Sequence, residues 1–504
     1  MLAELRPYQI AALDAIREAM RAGKRSVMLQ LPTGGGKTLT AASMLVSALA
    51  KGSRSMFVAH RLELIDQTVT TFARLGVLSI GVIRAGDPRK DLSQPIQIAS
   101  IQTLARRKQR VDGLKIIFID EAHRAYSTSY IKHLFEAYPE AFFVGLSATP
   151  CRADGKPLGK VFDALIHGAT YSTLIEGGFI VEPMVYSTPV LPDLSSVRTV
   201  GGDYNQEDLE AAVNRRALIG NLYAEWLKRS GGRRTVAFAV SIAHSLAIVQ
   251  QFTENGVSCE HLDGTTPEDI RRAILARLAS GETQVVSNVG VLCEGWDLPA
   301  CKCLLLARPT KSLVLYMQMA GRILRPFEGV QPLILDHGAN VDRHGMPHED
   351  REWSLDVKLK KKGESRCKCC VECFAMIPAS AGICPHCGHE FPAPPPPEAK
   401  APDALDDVEL ALRTMNGDDA QMSEFRRLVT VARTKGLQPG WVMHRFKEKF
   451  GTAPTRDCWR HLRHASKNDQ AWAKRLAERT PPAWLDEIHV PGVGTVSETD
   501  LQHE

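Results

Sequence analysis

The chain has 504 residues, of which 44% are hydrophobic and 24% are charged, and its formal net charge is +5. This composition is ordinary for a globular protein, so a chain that is disordered or fibrous throughout is excluded. No run of about 18 apolar residues occurs, and the N-terminus lacks the apolar core and cleavage site of a signal peptide. We therefore expect about three folded domains, no membrane span and a cytoplasmic location.

Short apolar runs alternate with amphipathic stretches through most of the chain, which predicts parallel α/β sheets. The first set comprises strands at 26–31, 55–59, 96–100, 115–119 and 142–146, with helices at 38–50 and 61–75. The second set comprises strands at 235–239, 284–288, 303–307 and 332–336, with helices at 242–255, 267–279 and 312–321. Two α/β domains in tandem are therefore predicted.

A glycine-rich segment, PTGGGKT at 32–38, follows the first predicted strand and precedes a helix. Its glycines allow backbone N–H groups to approach phosphate oxygens, and the helix N-terminus adds the positive end of a dipole. Lys37 is expected to reach the β- and γ-phosphates and Thr38 to bind Mg²⁺. Leu31 stands where the strict pattern has glycine. An ordinary glycine-rich turn is the alternative, which the strand, the Lys-Thr pair and the helix together disfavour.

Two carboxylates end the predicted strand in FIDEAH (118–123). Asp120 is placed to hold Mg²⁺, and Glu121 to orient and deprotonate an attacking water. By itself such a pair is usually a solvated strand end, but the phosphate-binding segment upstream favours the catalytic interpretation. The segment SAT at 147–149 also ends a strand and carries little information alone.

A basic motif, YMQMAGRILRP at 316–326, places Gln318, Arg322 and Arg325 at spacings of four and three. That spacing predicts one shared helix face. Two arginines that reach a γ-phosphate from a second domain would act as arginine fingers. An isolated motif of this kind would instead be a solvated basic face. In CEGWDLP (293–299), Gly295 and Asp297 follow another predicted strand and are expected to complete the nucleotide cleft.

Six of the twelve cysteines lie between Cys367 and Cys387, which favours metal binding over disulfides in a chain without an export signal. Two Cys-x₂-Cys pairs suit a tetrahedral Zn²⁺ site of structural type. The favoured ligands are Cys370, Cys373, Cys384 and Cys387. Cys367 and Cys369 remain alternatives for one position.

The segment from Gln421 to Lys467 is basic, since eleven Lys or Arg residues against three Asp or Glu give it a charge of +8. We hypothesise that its cations contact nucleic-acid phosphates. For the interleaved aromatic residues, a buried helical core is preferred over base stacking, because Trp and Phe are more often buried. The hypothesised contacts are Arg426, Arg427, Lys435, Arg445, Lys447, Lys449, Arg460 and Arg463.

The order of these motifs resembles superfamily-2 helicases and translocases of the DEAH type, over roughly residues 1–340. LRPYQ (5–9) is similar to their adenine-contacting element. FVAHRLELIDQ (57–67) and ASIQTLARR (99–107) resemble the strand-contacting motifs of the first domain, and HLDGTTP (261–267) resembles that of the second. GVLCEGWDLP, the block ending in QMAGRILRP and the cysteine module look most like bacterial RadD-type DNA-repair helicases and related phage helicases.

The resemblance implies two RecA-like domains with ATP between them and nucleic acid across both. The implied nucleotide-site residues are Gln9, Thr33, Gly34, Gly35, Gly36, Lys37, Thr38, Asp120, Gly295 and Asp297, with Glu121, Gln318, Arg322 and Arg325 as catalytic groups. His123, Ser147 and Thr149 would couple hydrolysis to domain movement. The implied nucleic-acid contacts in these domains are His60, Arg61, Gln102, Thr103 and Thr265.

The predicted organisation is therefore two tandem RecA-like α/β domains, a zinc ribbon and a helical basic C-terminal domain. The boundaries are 1–182 for the ATP-binding domain, 183–230 for a connecting region, 231–345 for the second RecA-like domain, 366–391 for the ribbon, 392–402 for a proline-rich linker and 403–486 for the C-terminal domain.

The leading functional prediction is an ATP-dependent DNA helicase or translocase in repair, recombination or phage replication, with ATP, Mg²⁺ and Zn²⁺ as cofactors. An RNA helicase is an alternative, because phosphate contacts do not identify the sugar. An ATP-switched adaptor is a second alternative, against which Glu121 and the two arginines argue. A restriction-type motor subunit is a third, although the tail shows no separate nuclease or methyltransferase signature.

Overall fold

The computed structural model describes residues 4–60, 62–107, 110–125, 129–152, 156–293, 295–296, 298–356, 367–392, 417–434 and 439–454. The chain divides into two compact units, Met1–Phe391 and Pro392–Glu504. Within the described ranges, no helix combines the length and the apolar character that crossing a bilayer requires.

The first sheet of the larger unit has seven strands in the order β3-β4-β2-β5-β6-β1-β7, all paired in parallel. The strands are β1 (Ser26–Gln30), β2 (Arg54–Ala59), β3 (Ile80–Ile83), β4 (Ile96–Ser100), β5 (Leu114–Ile119), β6 (Phe142–Ser147) and β7 (Ala164–His167). The helices are α1 (Pro7–Arg21), α2 (Lys37–Leu49), α3 (Leu62–Arg74), α4 (Ile101–Arg107), α5 (Ala122–Ala125), α6 (Ser129–Ala137) and α7 (Tyr171–Glu176). The five predicted strands are present, and the two edge strands β3 and β7 were not predicted.

The central strands of this sheet are buried on both faces, as parallel sheets require. In β1, Val27 and Leu29 join the apolar cluster on one side of the sheet, whereas Met28 joins the cluster on the other. This explains why the central strands appear as unbroken apolar runs. Because the carboxyl ends of parallel strands lie at the same end of the sheet, the segments that follow β1, β5 and β6 meet there.

The second sheet has six parallel strands in the order β12-β13-β11-β14-β15-β8. Its strands are β8 (Met184–Tyr186), β11 (Thr235–Phe238), β12 (Cys259–Leu262), β13 (Val285–Asn288), β14 (Cys303–Leu306) and β15 (Leu333–Asp336), and β9 (Thr199–Val200) and β10 (Asp203–Tyr204) form a separate hairpin. The helices are α8 (Gln206–Val213), α9 (Arg216–Arg229), α10 (Ile242–Glu254), α11 (Glu268–Ser280), α12 (Leu313–Ala320) and α13 (Asn340–His344). Strand β8 comes from the segment between the two predicted domains and forms one edge.

Helix α12 ends before the two arginines of the basic motif, and this corrects one prediction. The helix stops at Ala320 with Gly321 as its C-cap, so Arg322 and Arg325 lie in the loop that follows. The prediction that Gln318, Arg322 and Arg325 share one helix face is therefore wrong. Gly321 lowers helix propensity, and Pro326 disfavours helical geometry at the preceding residue.

The cysteine module forms a short antiparallel pair, β16 (Cys367–Cys369) and β17 (Met376–Pro378). It continues the edge of the second sheet, because Tyr186 of β8 makes an antiparallel bridge with Ala375. The Ser187 N–H donates a hydrogen bond to the Phe374 carbonyl at 2.8 Å. The module is thus attached by backbone pairing to the second sheet.

The smaller unit contains two described helices, α14 (Gly417–Thr434) and α15 (Pro439–Phe450). Phe425 and Phe446 are fully buried between them, with ring centroids 5.9 Å apart in an edge-to-face arrangement. The preferred interpretation of these aromatics as a core is confirmed for this pair. The other parts of the predicted C-terminal domain, residues 403–416, 435–438 and 455–486, lie outside the described residues.

Candidate nucleotide-binding cleft

The glycine-rich segment forms a loop, residues 32–38, between β1 and α2, and we call it the phosphate loop. Gly34 and Gly36 have φ angles of 88° and 83°, in the left-handed region that favours glycine. Helix α2 begins at Lys37 with Gly36 as its N-cap. A Cβ atom at Gly36 would collide with the amide nitrogen of Gln9. The segment is thus a glycine-rich loop that leads into a helix N-terminus, an arrangement that suits a phosphate.

Gln9 braces this loop from α1 and is completely buried. Its Oε1 accepts a hydrogen bond from the Arg6 N–H at 3.0 Å, and its Nε2 donates to the Gly35 carbonyl at 3.2 Å. The Tyr8 hydroxyl donates to the same carbonyl at 3.0 Å. The structure therefore places Gln9 against the phosphate loop, beside the position where a bound nucleotide would lie.

The charged groups of Lys37, Asp120 and Glu121 meet beyond the carboxyl ends of the strands of the first sheet. Burial lowers the pKa of Lys37, although the Glu121 and Asp120 carboxylates oppose this shift. Burial and the charge of Glu121 raise the pKa of Asp120 to about 6, while the nearby Lys37 cation opposes the change. Two carboxylates beside an ammonium and a phosphate cradle form a donor set of the kind that Mg²⁺ prefers. The residues therefore fit ATP and Mg²⁺.

The backbone of Glu121 is strained, with a φ angle of 45°. Its Oε2 lies 3.3 Å from His123 Nδ1. The same His123 nitrogen lies 2.8 Å from the Ser147 hydroxyl, which accepts a hydrogen bond from the Thr149 N–H at 3.0 Å. The structure thus brings the DEAH and SAT segments into one buried polar chain.

The loop after α12, residues 321–326, reaches the phosphate loop, and we call it the arginine loop. A Cβ at Gly321 would lie 2.8 Å from the Thr33 Cβ, so the two loops are in close contact. The positive charges of Arg322 and Arg325 both depress the pKa of Lys37. The cleft therefore brings both predicted arginines close to Lys37 of the phosphate loop.

The arginine loop also contacts the segment that follows β13. Arg322 donates from Nε to the Cys293 carbonyl at 2.9 Å and from Nη1 to the Trp296 carbonyl at 2.8 Å. The Gly295 carbonyl in that segment accepts from the Gln67 side chain of the first domain. Asp297 lies outside the described residues. Gln318 is buried on α12.

An aromatic and aliphatic wall that no sequence pattern predicted lies beside the phosphate loop. The Arg6 guanidinium lies 3.7 Å from the centroid of the Phe179 ring, and Tyr8 packs edge-on against the same ring at 5.9 Å. A Cβ at Gly34 would lie 3.0 Å from a methyl carbon of Ile180. No local pattern marks Phe179 or Ile180, because they lie far along the chain in the connection to the second domain.

Three predicted nucleic-acid contacts of the first domain lie next to one another, His60 directly after β2 and Gln102 and Thr103 in the first turn of α4. The Gln102 side chain donates to the His60 carbonyl, and its Oε1 accepts from the Ser100 hydroxyl at 2.8 Å. Thr103 is buried beside them. Arg61 lies outside the described residues. The structure therefore brings His60 and the first turn of α4 together.

Thr265 is held by a carboxylate in the second domain. Its N–H and its hydroxyl both donate to Asp263 Oδ1 at 2.8 Å. Burial acts to raise the pKa of Asp263, but hydrogen bonds from Thr265, together with the hydrogen bond and charge of His261, outweigh it and leave the pKa well below the usual value. Thr265 is exposed.

Several of the predicted basic contacts in the smaller unit are paired within that unit. Arg427 lies 2.7 Å and Lys449 3.3 Å from the buried Glu424 carboxylate. Arg445 pairs with Glu448 at 2.7 Å. Lys447 is exposed, whereas the side chain of Arg426 lies outside the described part of the chain, as do Lys435, Arg460 and Arg463.

The four favoured cysteines come together in the cysteine module. The Sγ atoms of Cys370, Cys373, Cys384 and Cys387 all lie within 4.8 Å of one another. Cys370 and Cys387 are 3.6 Å apart, and Cys373 and Cys384 are 3.7 Å apart, measured between sulfur atoms. Cys367 instead packs into the apolar cluster of the second domain. Four clustered thiols form a donor set that suits tetrahedral Zn²⁺.

Two known families match segments of the chain that contain strands of the first and of the second sheet. The family described as "Type III restriction enzyme, res subunit" matches residues 2–152, and "Helicase conserved C-terminal domain" matches residues 215–326. The chain belongs to the superfamily-2 helicases. It is an ATP-hydrolysing enzyme of the helicase type.

Individual relatives agree with this assignment. A 51.5 kDa protein of Lactococcus phage (isolate 7-9) is 31% identical over 72% of this chain and 78% of its own length. IRC3 of Saccharomyces cerevisiae, whose name describes it as an ATP-dependent helicase, is 31% identical over 64% of this chain. The chain spans only 49% of the length of that yeast relative.

Among solved structures, a fragment described as the HsdR subunit of a type I restriction enzyme from Vibrio vulnificus superposes with a TM-score of 0.54. It has 21% sequence identity, and the match covers 68% of this chain and 66% of that fragment. At this identity the likeness establishes the shared two-sheet fold. The finer RadD-type resemblance stays a prediction.

Proposed function

We propose that this helicase couples ATP hydrolysis, in the cleft between its two sheets, to movement along DNA. The observation that supports this most is the meeting of the arginine loop with the phosphate loop, at Gly321 and Thr33. One ligand held there would touch both domains, so its presence or loss would change their contact. Alternating contact of this kind drives translocation when each domain also holds a nucleic-acid strand.

The geometry of the cleft supports the following proposed residue roles. Lys37 and Thr38 would hold phosphates, and Asp120 would hold Mg²⁺, directly or through water. Glu121 lies beside Asp120 and would orient and deprotonate the attacking water. Bound ATP and Mg²⁺ supply the phosphoanhydride bond and the charge neutralisation that phosphoryl transfer requires.

The remaining predicted residues take supporting roles in this proposal. Arg322 and Arg325 would stabilise charge on the γ-phosphate, with Gln318 behind them on α12. Gln9, which lies against the phosphate loop, would contact the edge of the adenine base. Coupling to domain movement is assigned to the buried chain of His123, Ser147 and Thr149, because it links the general base to the end of β6.

DNA is the proposed polymer, in repair, recombination or phage replication. Support comes from the restriction-enzyme family match and from the restriction-enzyme subunit with the same fold. The proposed contacts are His60, Arg61, Gln102, Thr103, Thr265, Arg426, Arg427, Arg445, Lys447 and Lys449. The predicted domain boundaries are proposed with one change, since β8 of the predicted connecting region belongs to the second sheet.

The test is ATP hydrolysis by the purified chain alone and with single-stranded DNA, forked DNA or RNA. Stimulation by DNA and not by RNA supports the proposal, and a strand-separation assay follows. Stimulation by RNA alone would assign the chain to RNA. Polymer binding without hydrolysis under any condition would favour an ATP-switched adaptor. Glu121→Gln should trap ATP with nucleic acid bound, and rapid turnover by this variant would contradict its role.

We propose further that the four clustered cysteines hold one structural Zn²⁺. Metal analysis should find about one zinc per chain, lost in Cys384→Ser. Cys369→Ser is the matched control, because Cys369 is adjacent to the cluster but outside the set of four, and it should retain the metal. A folded, zinc-free wild-type chain would refute the site, and zinc loss in the control would change the ligand assignment.

A further inference from the structure

A lysine is buried in the second domain at the start of β14. Lys302 is 1% exposed and is among the largest fully buried side chains of the described residues. Its backbone is fixed on both sides: its N–H donates to the Arg234 carbonyl at 3.1 Å, and its carbonyl accepts from the Leu333 N–H at 2.8 Å. Burial lowers the pKa of Lys302 to about 8.

The partners of this ammonium are carbonyl groups of the arginine loop. Lys302 Nζ donates to the Ile323 carbonyl at 3.2 Å and to the Arg325 carbonyl. Within the described part of the chain it has no carboxylate partner in an ion pair. Burying a charge without a counter-ion is costly, and an apolar side chain of similar length would avoid that cost. The lysine therefore needs an explanation beyond packing.

The arginine loop needs external donors because α12 has already ended. Residues 323–325 lie beyond the helix, so their carbonyls have left the helical hydrogen-bond ladder. The Leu324 carbonyl accepts from the Val181 N–H at 2.7 Å, between the two that Lys302 binds. Three successive carbonyls are thus held from outside the loop, two of them by one side chain. The hydrogen bonds to these carbonyls fix the backbone of residues 323–325, which follows Arg322 and includes Arg325.

We propose that Lys302 is a positioning residue that holds the arginine loop in the geometry with which Arg322 and Arg325 meet the γ-phosphate. This inference rests on the proposed function of the two arginines. Lys302 does not touch the nucleotide in this proposal, and it acts only through the Ile323 and Arg325 carbonyls. Catalysis depends steeply on such placement, since a misplacement of about 1 Å costs about 100-fold in rate.

The experiment compares Lys302→Met with wild type in polymer-stimulated ATP hydrolysis. We expect kcat to fall by about 10- to 100-fold, while KM for ATP changes by less than about three-fold. Lys302→Arg keeps a cationic donor and should recover part of kcat. Leu305→Ala is the matched control, because it removes a buried side chain from the same strand without a contact to the arginine loop. It should lower the melting temperature and leave kcat within about two-fold.

A double-mutant cycle separates positioning from general damage. Arg322→Ala/Arg325→Ala should lower kcat by itself, and adding Lys302→Met should then change kcat by less than about two-fold. An undiminished effect of Lys302→Met in that background would overturn the inference. So would a folded Lys302→Met chain with wild-type kcat. Circular dichroism and thermal unfolding identify the folded variants.

These outcomes are distinct from failure of the proposed function. If the arginine variants hydrolyse ATP at the wild-type rate, the arginine assignment fails and the Lys302 inference fails with it. If the arginine variants are inactive and Lys302→Met is fully active, only the Lys302 inference fails. Should Lys302→Met not fold, Lys302→Ala decides in its place. A folded Lys302→Ala chain with wild-type KM and a reduced kcat supports positioning, and a folded one with wild-type kcat overturns it.

Discussion

The phosphate loop and the arginine loop meet in the same cleft, yet their shapes have different origins. Gly34 and Gly36 set the phosphate loop locally, because each has a φ angle that other residues rarely adopt. The arginine loop contains no comparable local device. Distant groups hold it, namely Lys302, the Val181 N–H and the Cys293 and Trp296 carbonyls. The first loop is therefore visible in a sequence motif, and the second becomes interpretable only in three dimensions.

Removing the lysine of the phosphate loop should have the largest effect. Lys37→Ala should reduce ATP hydrolysis to background, because it removes from the phosphate loop the ammonium proposed to neutralise phosphate charge. Lys51→Ala, an exposed lysine just after α2, is the matched control and should be indistinguishable from wild type. Full activity in Lys37→Ala would refute the nucleotide site.

The arginine loop should show a loss of rate without a matching loss of binding. Arg322→Ala should lower kcat by about 1000-fold or more, the scale of an arginine finger, while binding of a fluorescent ATP analogue remains. Arg272→Ala removes an exposed arginine from α11 and should leave kcat unchanged. Equal losses of analogue binding and of kcat would mean that Arg322 instead contributes to binding ATP before the reaction.

The local origin of the phosphate loop can be tested at a single glycine. Gly36→Ala should weaken ATP binding by about ten-fold or more, because the left-handed conformation costs about 1–2 kcal/mol for alanine and the methyl group collides with Gln9. Gly220→Ala on α9 is the control, since its added methyl group meets no neighbour. Calorimetric titration with a non-hydrolysable ATP analogue measures the difference, and unchanged affinity in Gly36→Ala would contradict local control.

The cysteine module combines local and distant control, and the expected effect of changing its attachment is smaller. Its knuckles are set by local spacing, but its attachment depends on Arg229, which donates to the Cys373 carbonyl at 2.9 Å and lies 4.2 Å from the Tyr186 ring centroid. Arg229→Ala should keep the zinc and destabilise the module by about 1–3 kcal/mol. Metal analysis and thermal unfolding would check this, and loss of the metal would show that attachment and metal binding are one property.

The fold was predictable where burial made strands apolar throughout. The central strands of both sheets were found because parallel strands covered on both faces consist of unbroken apolar runs. Edge strand β7 was missed because it is only partly buried. Strand β8 was missed because it has three residues and lies far along the chain from its sheet neighbour β15. Partner choice of this kind depends on contacts distant in sequence.

The candidate site divides in the same way. Lys37, Asp120 and Glu121 were assigned from motifs, since glycine geometry and strand ends place them without help from distant residues. The shared helix face of Gln318, Arg322 and Arg325 was predicted wrongly, because Gly321 ends α12 before the arginines. Phe179, Ile180 and Lys302 were not found at all, because no spacing rule connects them to the motifs they contact.

By itself, the sequence determined the chemical inventory of this helicase: a phosphate loop, paired carboxylates, two arginines and four cysteines at ligand spacing. These features depend on backbone conformation and on spacing over a few residues, which local sequence specifies. The tertiary structure alone decided which carbonyls hold the arginine loop, which wall lines the phosphate loop and which edge strand bears the cysteine module. Those contacts join residues far apart in the chain, and only the packed fold supplies the burial that makes an ammonium such as Lys302 bind carbonyls rather than water.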